Sequence, residues 1–378
     1  MASGHTNAAI RVLIVDDSAS VRSVLGTILS GDPEIEVMGS APDAYVAAGM
    51  IRSEIPDVIF LDIEMPKMDG LTFLKKIMSQ RPIPVVICSS LTEKGSDMMI
   101  QALAAGAVDV ITKPKVHTAQ HLRDAAMTIC DVARAAAHAR IRSRKPRPVK
   151  LSVEAKNLAD VLIPAISPER AEKLKTTIPV TEPIICLGAS TGGTEALAAV
   201  LKTLPADCPA TLVVQHMPEG FTAAFARRLD GLCAPRVAEA RDGDLVRPGQ
   251  VLIAPGNRHM MLRRAGSRYT VTIAEGPAVC RHRPAVDILF RSAAQNGGPN
   301  VVAAILTGMG DDGARGLLEI RETGGHTIAQ NEETCIVFGM PKEAIERGGA
   351  QAILPLGRIG AELLSHARPH RTEPALSV

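Results

Sequence analysis

Short apolar runs alternate with stretches of helical periodicity along most of the chain, and this alternation constrains the fold more than any other feature. Strands that alternate with helices form doubly wound parallel sheets. In the first 130 residues the apolar runs, each ending in polar residues, are Val12–Asp17, Ile35–Ser40, Val58–Asp62, Val85–Ser90 and Val108–Thr112. The helical stretches lie near Ser18–Ser30, Asp43–Glu54, Leu71–Gln80 and Asp97–Ala105, with a fifth after Pro114. We therefore predict a parallel α/β domain over residues 10–130.

A second domain of the same class is predicted over residues 183–368. Its apolar runs are Ile184–Leu187, Thr211–Val214, Val251–Ala254 and Val301–Thr307, and its helical stretches include Thr194–Lys202 and Phe221–Leu229. Residues 369–378 are polar and contain proline, which predicts a frayed tail. The expected fold class is α/β, with two doubly wound parallel-sheet domains.

Residues 131–182 are predicted to form a basic linker between the two domains. Residues 134–150 carry seven Lys and Arg side chains and no acidic side chain. This composition fits a solvated linker, and it also fits a docking surface for an acidic partner. Residues 151–175 have helical spacing, and the sequence does not indicate whether they pack.

Composition excludes several classes of protein. Hydrophobic residues make up 46% of 378, which rules out wholesale disorder. A net charge of +2 and the absence of Trp argue against nucleic-acid binding. No apolar stretch can span a bilayer and no signal-peptide pattern is present, so we expect a cytoplasmic protein without membrane insertion. The seven cysteines include no CxxC pair, and we expect buried, reduced thiols.

Carboxylates end two strands that are neighbours if the sheet order of the first domain begins 2-1-3. Asp16 and Asp17 follow the first strand, and Asp62 ends the third. Like charges at such range repel, and a divalent cation such as Mg²⁺ resolves the conflict. Ser89 and Lys113 end the fourth and fifth strands and bring a hydroxyl and an ammonium group to the same pocket. This set suits phosphoryl transfer onto a carboxylate.

The stretches VLIVDDSASVR, DVIFLDIEMPKMDG, PVVICSS and GAVDVITKP resemble the response-regulator receiver domain, which has a flavodoxin-like fold. The resemblance implies that Asp62 accepts a phosphoryl group from a histidine kinase. It also implies Asp16, Asp17 and Asp62 as Mg²⁺ ligands, with Glu64 as a backbone-carbonyl ligand. Ser89 and Lys113 match the family's switch positions. The chain departs from many receivers at Val110, where they carry an aromatic residue.

A glycine-rich turn follows the first strand of the second domain, in the sequence Gly188-Ala-Ser-Thr-Gly-Gly193. It matches the G-x-S-x-G elbow that exposes a nucleophilic serine, here Ser190. It also resembles a G-x-G-x-x-G dinucleotide motif in which Ser190 replaces the second glycine and obstructs a pyrophosphate. The next strand ends at His216, where a dinucleotide site requires an acid.

His216 is a candidate base for Ser190, and the loop after Val301–Thr307 supplies a third group. Spacing alone does not choose between its two carboxylates, Asp311 and Asp312. His259 and His282 are alternative bases by residue type, although neither follows a strand end as cleanly.

Six ordered motifs resemble the CheB family of chemotaxis protein-glutamate methylesterases: LGASTGGTEAL, VVQHMPEGFT, IAPGNRHM, RHRPAVD, LTGMGDDGARG and AQNEETCIVFGMPKEA. The resemblance implies a Rossmann-like catalytic domain with Ser190, His216 and Asp312 as the triad. It implies Met309, through its backbone N–H, and Thr191 as oxyanion or supporting residues. Cys280 stands where the family usually has Asn.

The resemblance implies a phosphorylation-activated hydrolase that demethylates glutamate methyl esters of chemoreceptors and deamidates receptor glutamines. The esterase chemistry itself needs no cofactor, and nucleic acid is not an expected partner. Two alternatives remain open at this stage. One is a receiver-controlled transcription regulator, and the other is a dinucleotide-dependent oxidoreductase.

Overall fold

The computed structural model describes residues 9–90, 93–114, 119–139, 157–177, 182–266 and 268–367. The chain divides into two compact units, residues 1–151 and 152–378. The basic run at residues 140–150 and the predicted tail at 369–378 lie outside the described residues. The predicted domain boundaries and the role of the linker therefore stay predictions.

The first unit is a five-stranded parallel sheet with the strand order β2-β1-β3-β4-β5. Its strands are β1 (Ile10–Val15), β2 (Ile35–Ala41), β3 (Val58–Asp62), β4 (Val85–Ser89) and β5 (Asp109–Thr112). Its helices are α1 (Ala19–Ser30), α2 (Ala44–Ser53), α3 (Gly70–Gln80), α4 (Glu93–Ala104) and α5 (Ala119–Ala137). Every residue of β3 and β4 is buried, as expected for strands covered by helices on both faces.

The second unit contains a seven-stranded sheet in which every pairing is parallel, with the order β14-β13-β12-β6-β7-β9-β8. These strands are β6 (Ile184–Ala189), β7 (Ala210–Gln215), β8 (Arg236–Glu239), β9 (Gln250–Ile253), β12 (Val301–Ile305), β13 (His326–Gln330) and β14 (Ala352–Leu354). Strands β10 (His259–Ala265) and β11 (Arg268–Ala274) form a separate antiparallel hairpin. The two parallel sheets confirm the predicted fold class.

Six of the described helices belong to the main body of the second unit. They are α7 (Gly193–Leu201), α8 (Phe221–Asp230), α9 (Val286–Gly297), α10 (Ala314–Glu322), α11 (Met340–Glu346) and α12 (Leu356–His366). Helix α9 is buried along almost its whole length and packs against α10 and β10. The buried residues of α9 include the polar side chains of Asp287, Arg291 and Ser292.

Part of the predicted linker packs against the second unit. It contains a 3₁₀ turn at Ala159–Val161 and the helix α6 (Pro168–Thr177). Arg291, which is buried in α9, holds this segment by donating to the Asp160 carboxylate at 3.0 Å and to the Ile163 carbonyl at 2.9 Å. A charge-assisted network at a buried guanidinium fixes the segment in place.

None of the seven cysteines, all of which are described, forms a disulfide bond; six of them are buried, and Cys233 is partly exposed. Among the described residues, none of the helices combines the length and the apolar character needed to cross a bilayer.

Candidate active sites

Ser190 lies in the turn between β6 and α7, and glycines allow this turn to be tight. Gly192 has a φ of 75°, a left-handed conformation that favours glycine. A Cβ at Gly193 would overlap the side chain of Gln215 and lie 2.7 Å from the Cβ of Ala189. Gln215 is also the donor, through Nε2, to the Ser190 carbonyl at 2.9 Å. Ser190 is thereby held at the carboxyl ends of the parallel strands and is 8% exposed.

His216 follows β7 directly, beside Ser190. The strand register pairs Ala189 with Gln215, and the His216 N–H donates to the Ala189 carbonyl at 3.1 Å. The Nε2 atom lies 2.7 Å from Oδ2 of Asp312, while Nδ1 is buried with no hydrogen-bond partner among the described residues. Burial lowers the pKa of His216, which favours the neutral imidazole that a general base requires.

Asp312 is the carboxylate of the loop after β12 that contacts His216. Its Oδ2 accepts from the Val286 N–H at 2.7 Å as well as from His216, and its Oδ1 accepts from the Asp287 N–H at 2.9 Å. Burial raises the pKa of Asp312, and the backbone donors oppose that rise. Asp311, which the sequence left as an equal candidate, lies instead 3.5 Å from the guanidinium of Arg347.

A second buried carboxyl group, that of Asp287, lies beside Asp312, and the sequence argument missed it. Its Oδ1 accepts from the Gly316 N–H at 2.8 Å, and the Cys280 thiol donates to its Oδ2 at 3.7 Å. Burial raises the pKa of Asp287 to about 7, and the charge of Asp312 acts in the same direction. Since Asp312 accepts two backbone N–H groups and His216, it is the better of the two at carrying a negative charge.

The backbone around Met309 is fixed next to Ser190. A Cβ at Gly308 would lie 2.8 Å from the Cβ of Ser190. The Gly308 carbonyl accepts from the N–H groups of Gly339 at 3.0 Å and Met340 at 2.8 Å. Because a trans peptide points its N–H opposite to its C=O, the Met309 N–H is directed away from those donors and is held rigidly.

Thr191 is buried, and its carbonyl accepts from the Thr307 hydroxyl at 3.0 Å. The same hydroxyl proton is shared with the Val337 carbonyl at 3.2 Å, and the Thr307 hydroxyl oxygen accepts from the Val337 N–H at 2.9 Å. This hydroxyl ties the serine turn to the loop that contains Gly308. The sequence argument missed Thr307, although its place at the end of an apolar strand is the signal that singled out the other polar residues.

The two alternative histidines occupy different environments from that of His216. His259 is buried, with Nε2 3.0 Å from the Pro277 carbonyl and Nδ1 3.3 Å from the Ala285 N–H. The ring of His282 stacks on that of His216, with 3.6 Å between the centroids and 11° between the planes. His259 therefore has protein partners at both ring nitrogens, and His282 contacts the candidate base through its face.

The receiver unit brings its predicted residues together at the carboxyl ends of β1, β3 and β5. The Lys113 ammonium lies 2.7 Å from Oδ2 of Asp62 and 3.0 Å from Oδ2 of Asp16. Asp16, Asp17 and Asp62 each offer one carboxylate oxygen within 4.8 Å of the others. Three carboxylates and one ammonium leave an excess of negative charge, and hard oxygen donors of this kind suit Mg²⁺.

Burial and neighbouring charges both shift the pKa values of the groups in this pocket. Burial raises the pKa of Asp62 to about 6, against the lowering effect of Lys113. Burial opposes the charged form of Lys113, but its hydrogen bonds to Asp62 and Asp16 outweigh this and raise its pKa. The exposed Glu64 donates its N–H to Oδ1 of Asp62 at 3.2 Å, which places its backbone at the pocket.

Ser89 ends β4 and is buried, and its hydroxyl donates to the Ser90 carbonyl at 3.3 Å. The Lys113 N–H donates to the Ser89 carbonyl at 2.9 Å, so the two predicted switch residues are adjacent in the sheet. Val110 is buried within β5.

Comparison with known proteins covers both units. Residues 185–363 match the CheB methylesterase family model, and residues 12–126 match the response regulator receiver domain model. The protein-glutamate methylesterase/protein-glutamine glutaminase 3 of Rhodopseudomonas palustris is 59% identical over 355 residues, which is 94% of this chain and 95% of the relative. The chain belongs to the CheB methylesterase family. This confirms both resemblances drawn from the sequence.

A further relative and a solved structure are similar to this chain. A protein-glutamate methylesterase/protein-glutamine glutaminase of Bradyrhizobium diazoefficiens is 58% identical over 94% of this chain and 95% of its own length. The crystal structure of the Thermotoga maritima CheB methylesterase catalytic domain is 41% identical, with a TM-score of 0.48, over 49% of this chain and 99% of that chain.

Proposed function

We propose that this chain is a phosphorylation-activated protein-glutamate methylesterase and protein-glutamine deamidase that acts on chemoreceptors in chemotaxis adaptation. Family membership over 94% of the chain supports the reaction class. The single observation that supports the catalytic assignment is the convergence of Ser190, His216 and Asp312 at adjacent strand ends. The transcription-regulator and oxidoreductase alternatives are not favoured, because the second unit matches the methylesterase family model.

In the proposed mechanism His216 accepts the proton of Ser190 at Nδ1, the ring nitrogen that has no hydrogen-bond partner in the described part of the chain. The Ser190 Oγ attacks the side-chain acyl carbon of a glutamate methyl ester. Asp312 stabilises the imidazolium through its contact at Nε2. The Met309 N–H donates to the developing oxyanion, and the fixed Gly308 peptide prevents its reorientation.

Collapse of the tetrahedral intermediate expels methanol, which receives the proton from His216. Water then attacks the acyl-enzyme, with His216 again as the base, and glutamate and free Ser190 result. A glutamine side chain gives the same acyl-enzyme with ammonia as the leaving group. One triad thus accounts for both demethylation and deamidation.

We propose that Asp62 is the phosphorylation site, with a histidine kinase as the phosphodonor. Asp16, Asp17, Asp62 and the Glu64 carbonyl would hold Mg²⁺, which would offset the charge of the incoming phosphoryl group. Lys113 and Ser89 would bind phosphoryl oxygens, and Lys113 would exchange its contact with Asp62 for one with the phosphoryl group. Phosphorylation is expected to raise the esterase rate.

Methanol release from methylated receptor membranes tests both halves of this proposal. We expect Ser190→Ala to lower the rate by about 10⁴-fold or more. A small phosphodonor with Mg²⁺ should raise the rate of the wild-type protein and leave that of Asp62→Ala unchanged. Unchanged release by Ser190→Ala would refute the nucleophile, and stimulation that persists in Asp62→Ala would refute the switch.

A further inference from the structure

Three side chains with metal-binding groups meet on the second unit, away from the triad. His326 is the first residue of β13, and Glu362 and His366 lie one helical turn apart on α12. One ring nitrogen of each histidine and a Glu362 carboxylate oxygen all lie within 4.8 Å of one another. Strand and helix thus bring two imidazoles and one carboxylate close together.

This cluster is at the opposite end of the sheet from the catalytic residues. Ser190, His216 and Asp312 follow the carboxyl ends of parallel strands, whereas His326 begins its strand. The five residues of β13 separate the two ends by about 15 Å. Neither the esterase chemistry nor the receiver pocket uses these three side chains.

The contacts within the cluster leave its ligand atoms poorly satisfied. Nε2 of His326 is shielded from solvent and has no hydrogen-bond partner among the described residues, although Oε1 of Glu362 lies 3.4 Å away. Nε2 of His366 lies 3.2 Å from the same oxygen. Both histidines therefore compete for one carboxylate oxygen.

The two imidazole rings stack face to face, with 3.5 Å between the centroids and 9° between the planes. Two imidazolium ions in this arrangement would repel each other, so ion pairing of both rings with Glu362 is disfavoured. Neutral imidazoles have a free lone pair, which is the form that ligates a metal.

We propose that His326, Glu362 and His366 bind one divalent transition-metal cation of the Zn²⁺ type. Two imidazoles and one carboxylate are a ligand set that Zn²⁺ accepts, with water in the remaining position. The set does not suit Mg²⁺, which prefers oxygen ligands alone. The bound cation joins the start of β13 to the end of α12, and so stabilises the packing of the last helix on the sheet.

The test measures Zn²⁺ binding to the full-length protein by titration calorimetry, after chelator treatment and in excess Mg²⁺ to occupy the receiver carboxylates. Wild-type protein is expected to bind one more equivalent of Zn²⁺ than His366→Ala or Glu362→Gln, or to bind it at least about tenfold more tightly. Ser365→Ala, at an exposed neighbouring position on the same helix, is the matched control and should behave as wild type.

Thermal unfolding provides a second readout. Saturating Zn²⁺ should raise the melting temperature of the wild type and of Ser365→Ala, and the rise should be lost in both ligand variants. Identical stoichiometry and affinity in the wild type and both ligand variants would overturn the proposal. Loss of binding in Ser365→Ala as well would also overturn it, because the effect would then come from the helix and not from the ligands.

Discussion

Replacement of Asp312 by Asn tests which ring nitrogen of His216 carries the proton in the candidate triad. The carboxylate accepts three N–H groups, of which Val286 and His216 share Oδ2 while Asp287 donates to Oδ1. An amide of the same shape has one oxygen and one NH₂ group, so it cannot accept from both sides. Either orientation of the amide therefore places a donor against a donor.

If the amide oxygen occupies the Oδ2 position, the Asp287 N–H loses its acceptor, which costs about 1–3 kcal/mol of stability. If the NH₂ group occupies that position, it donates to Nε2 of His216 and moves the ring proton to Nδ1. Nδ1 of His216 then has no lone pair with which to accept the proton of Ser190. We expect kcat/KM for methanol release to fall by about 10⁴-fold, equivalent to roughly 5 kcal/mol of transition-state stabilisation.

Asp311→Asn is the matched control, because it makes the same chemical change one residue earlier. Asp311 contacts Arg347 at 3.5 Å, and a partly exposed pair of this kind contributes about 1 kcal/mol. We expect that variant to retain activity within a few-fold of the wild type. A near-normal rate for Asp312→Asn, or an equal loss for Asp311→Asn, would refute the assignment of the acid.

Three further predictions concern pH, the receiver pocket and the loop that contains Gly308. Because burial lowers the pKa of His216, kcat/KM should reach its plateau below pH 6.5, and a profile still rising above pH 7 would contradict this. Because the pKa of Asp62 is raised from 3.8 to about 6, ionised Asp62 lowers the free energy of unfolding by up to about 3 kcal/mol above pH 6. Below pH 3.8 this effect is absent. Asp62→Asn should therefore raise the unfolding free energy in urea without Mg²⁺ at pH 7, with the difference vanishing near pH 4. Gly308→Ala should displace Ser190 and lower kcat about 100-fold, whereas Gly357→Ala, which meets open space, should leave kcat unchanged.

Much of the fold was predictable because parallel strands that are buried on both faces read as continuous apolar runs. All five strands of the first unit coincide with predicted runs to within a few residues. In the second unit the runs at 184–187, 211–214, 251–254 and 301–307 are strands of the sheet. The sequence also missed β13, which lies inside the sheet and is buried, because only Ile328 and Ala329 of its five residues are apolar. The other missed strands lie at an edge, as β8 and β14 do, or carry charged side chains, as β10 and β11 do. Such strands lack the apolar signal because solvent reaches one face.

The candidate sites were predictable where a polar residue ends a strand, since the sheet brings strand ends together. That rule found Asp62, Lys113 and His216. It did not choose between Asp311 and Asp312, because the direction of each side chain depends on loop geometry that spacing does not encode. It also missed Asp287, which lies in the first turn of a helix and is adjacent to Asp312 only through tertiary packing.

Both sites contain buried carboxyl groups that lie close together, and the resulting negative charge is offset in different ways. In the receiver pocket, three carboxylates face one ammonium, so the excess charge favours a cation and a phosphoryl-transfer chemistry that brings one. In the second unit the two buried carboxyl groups, Asp287 and Asp312, share their surroundings with backbone N–H groups and a neutral imidazole. Burial raises the pKa of Asp287 to about 7, so below that pH a proton replaces the cation and the negative charge resides at Asp312. That single charge faces Nε2 of His216, and in the proposed mechanism it stabilises the imidazolium that forms when the ring accepts a proton from Ser190.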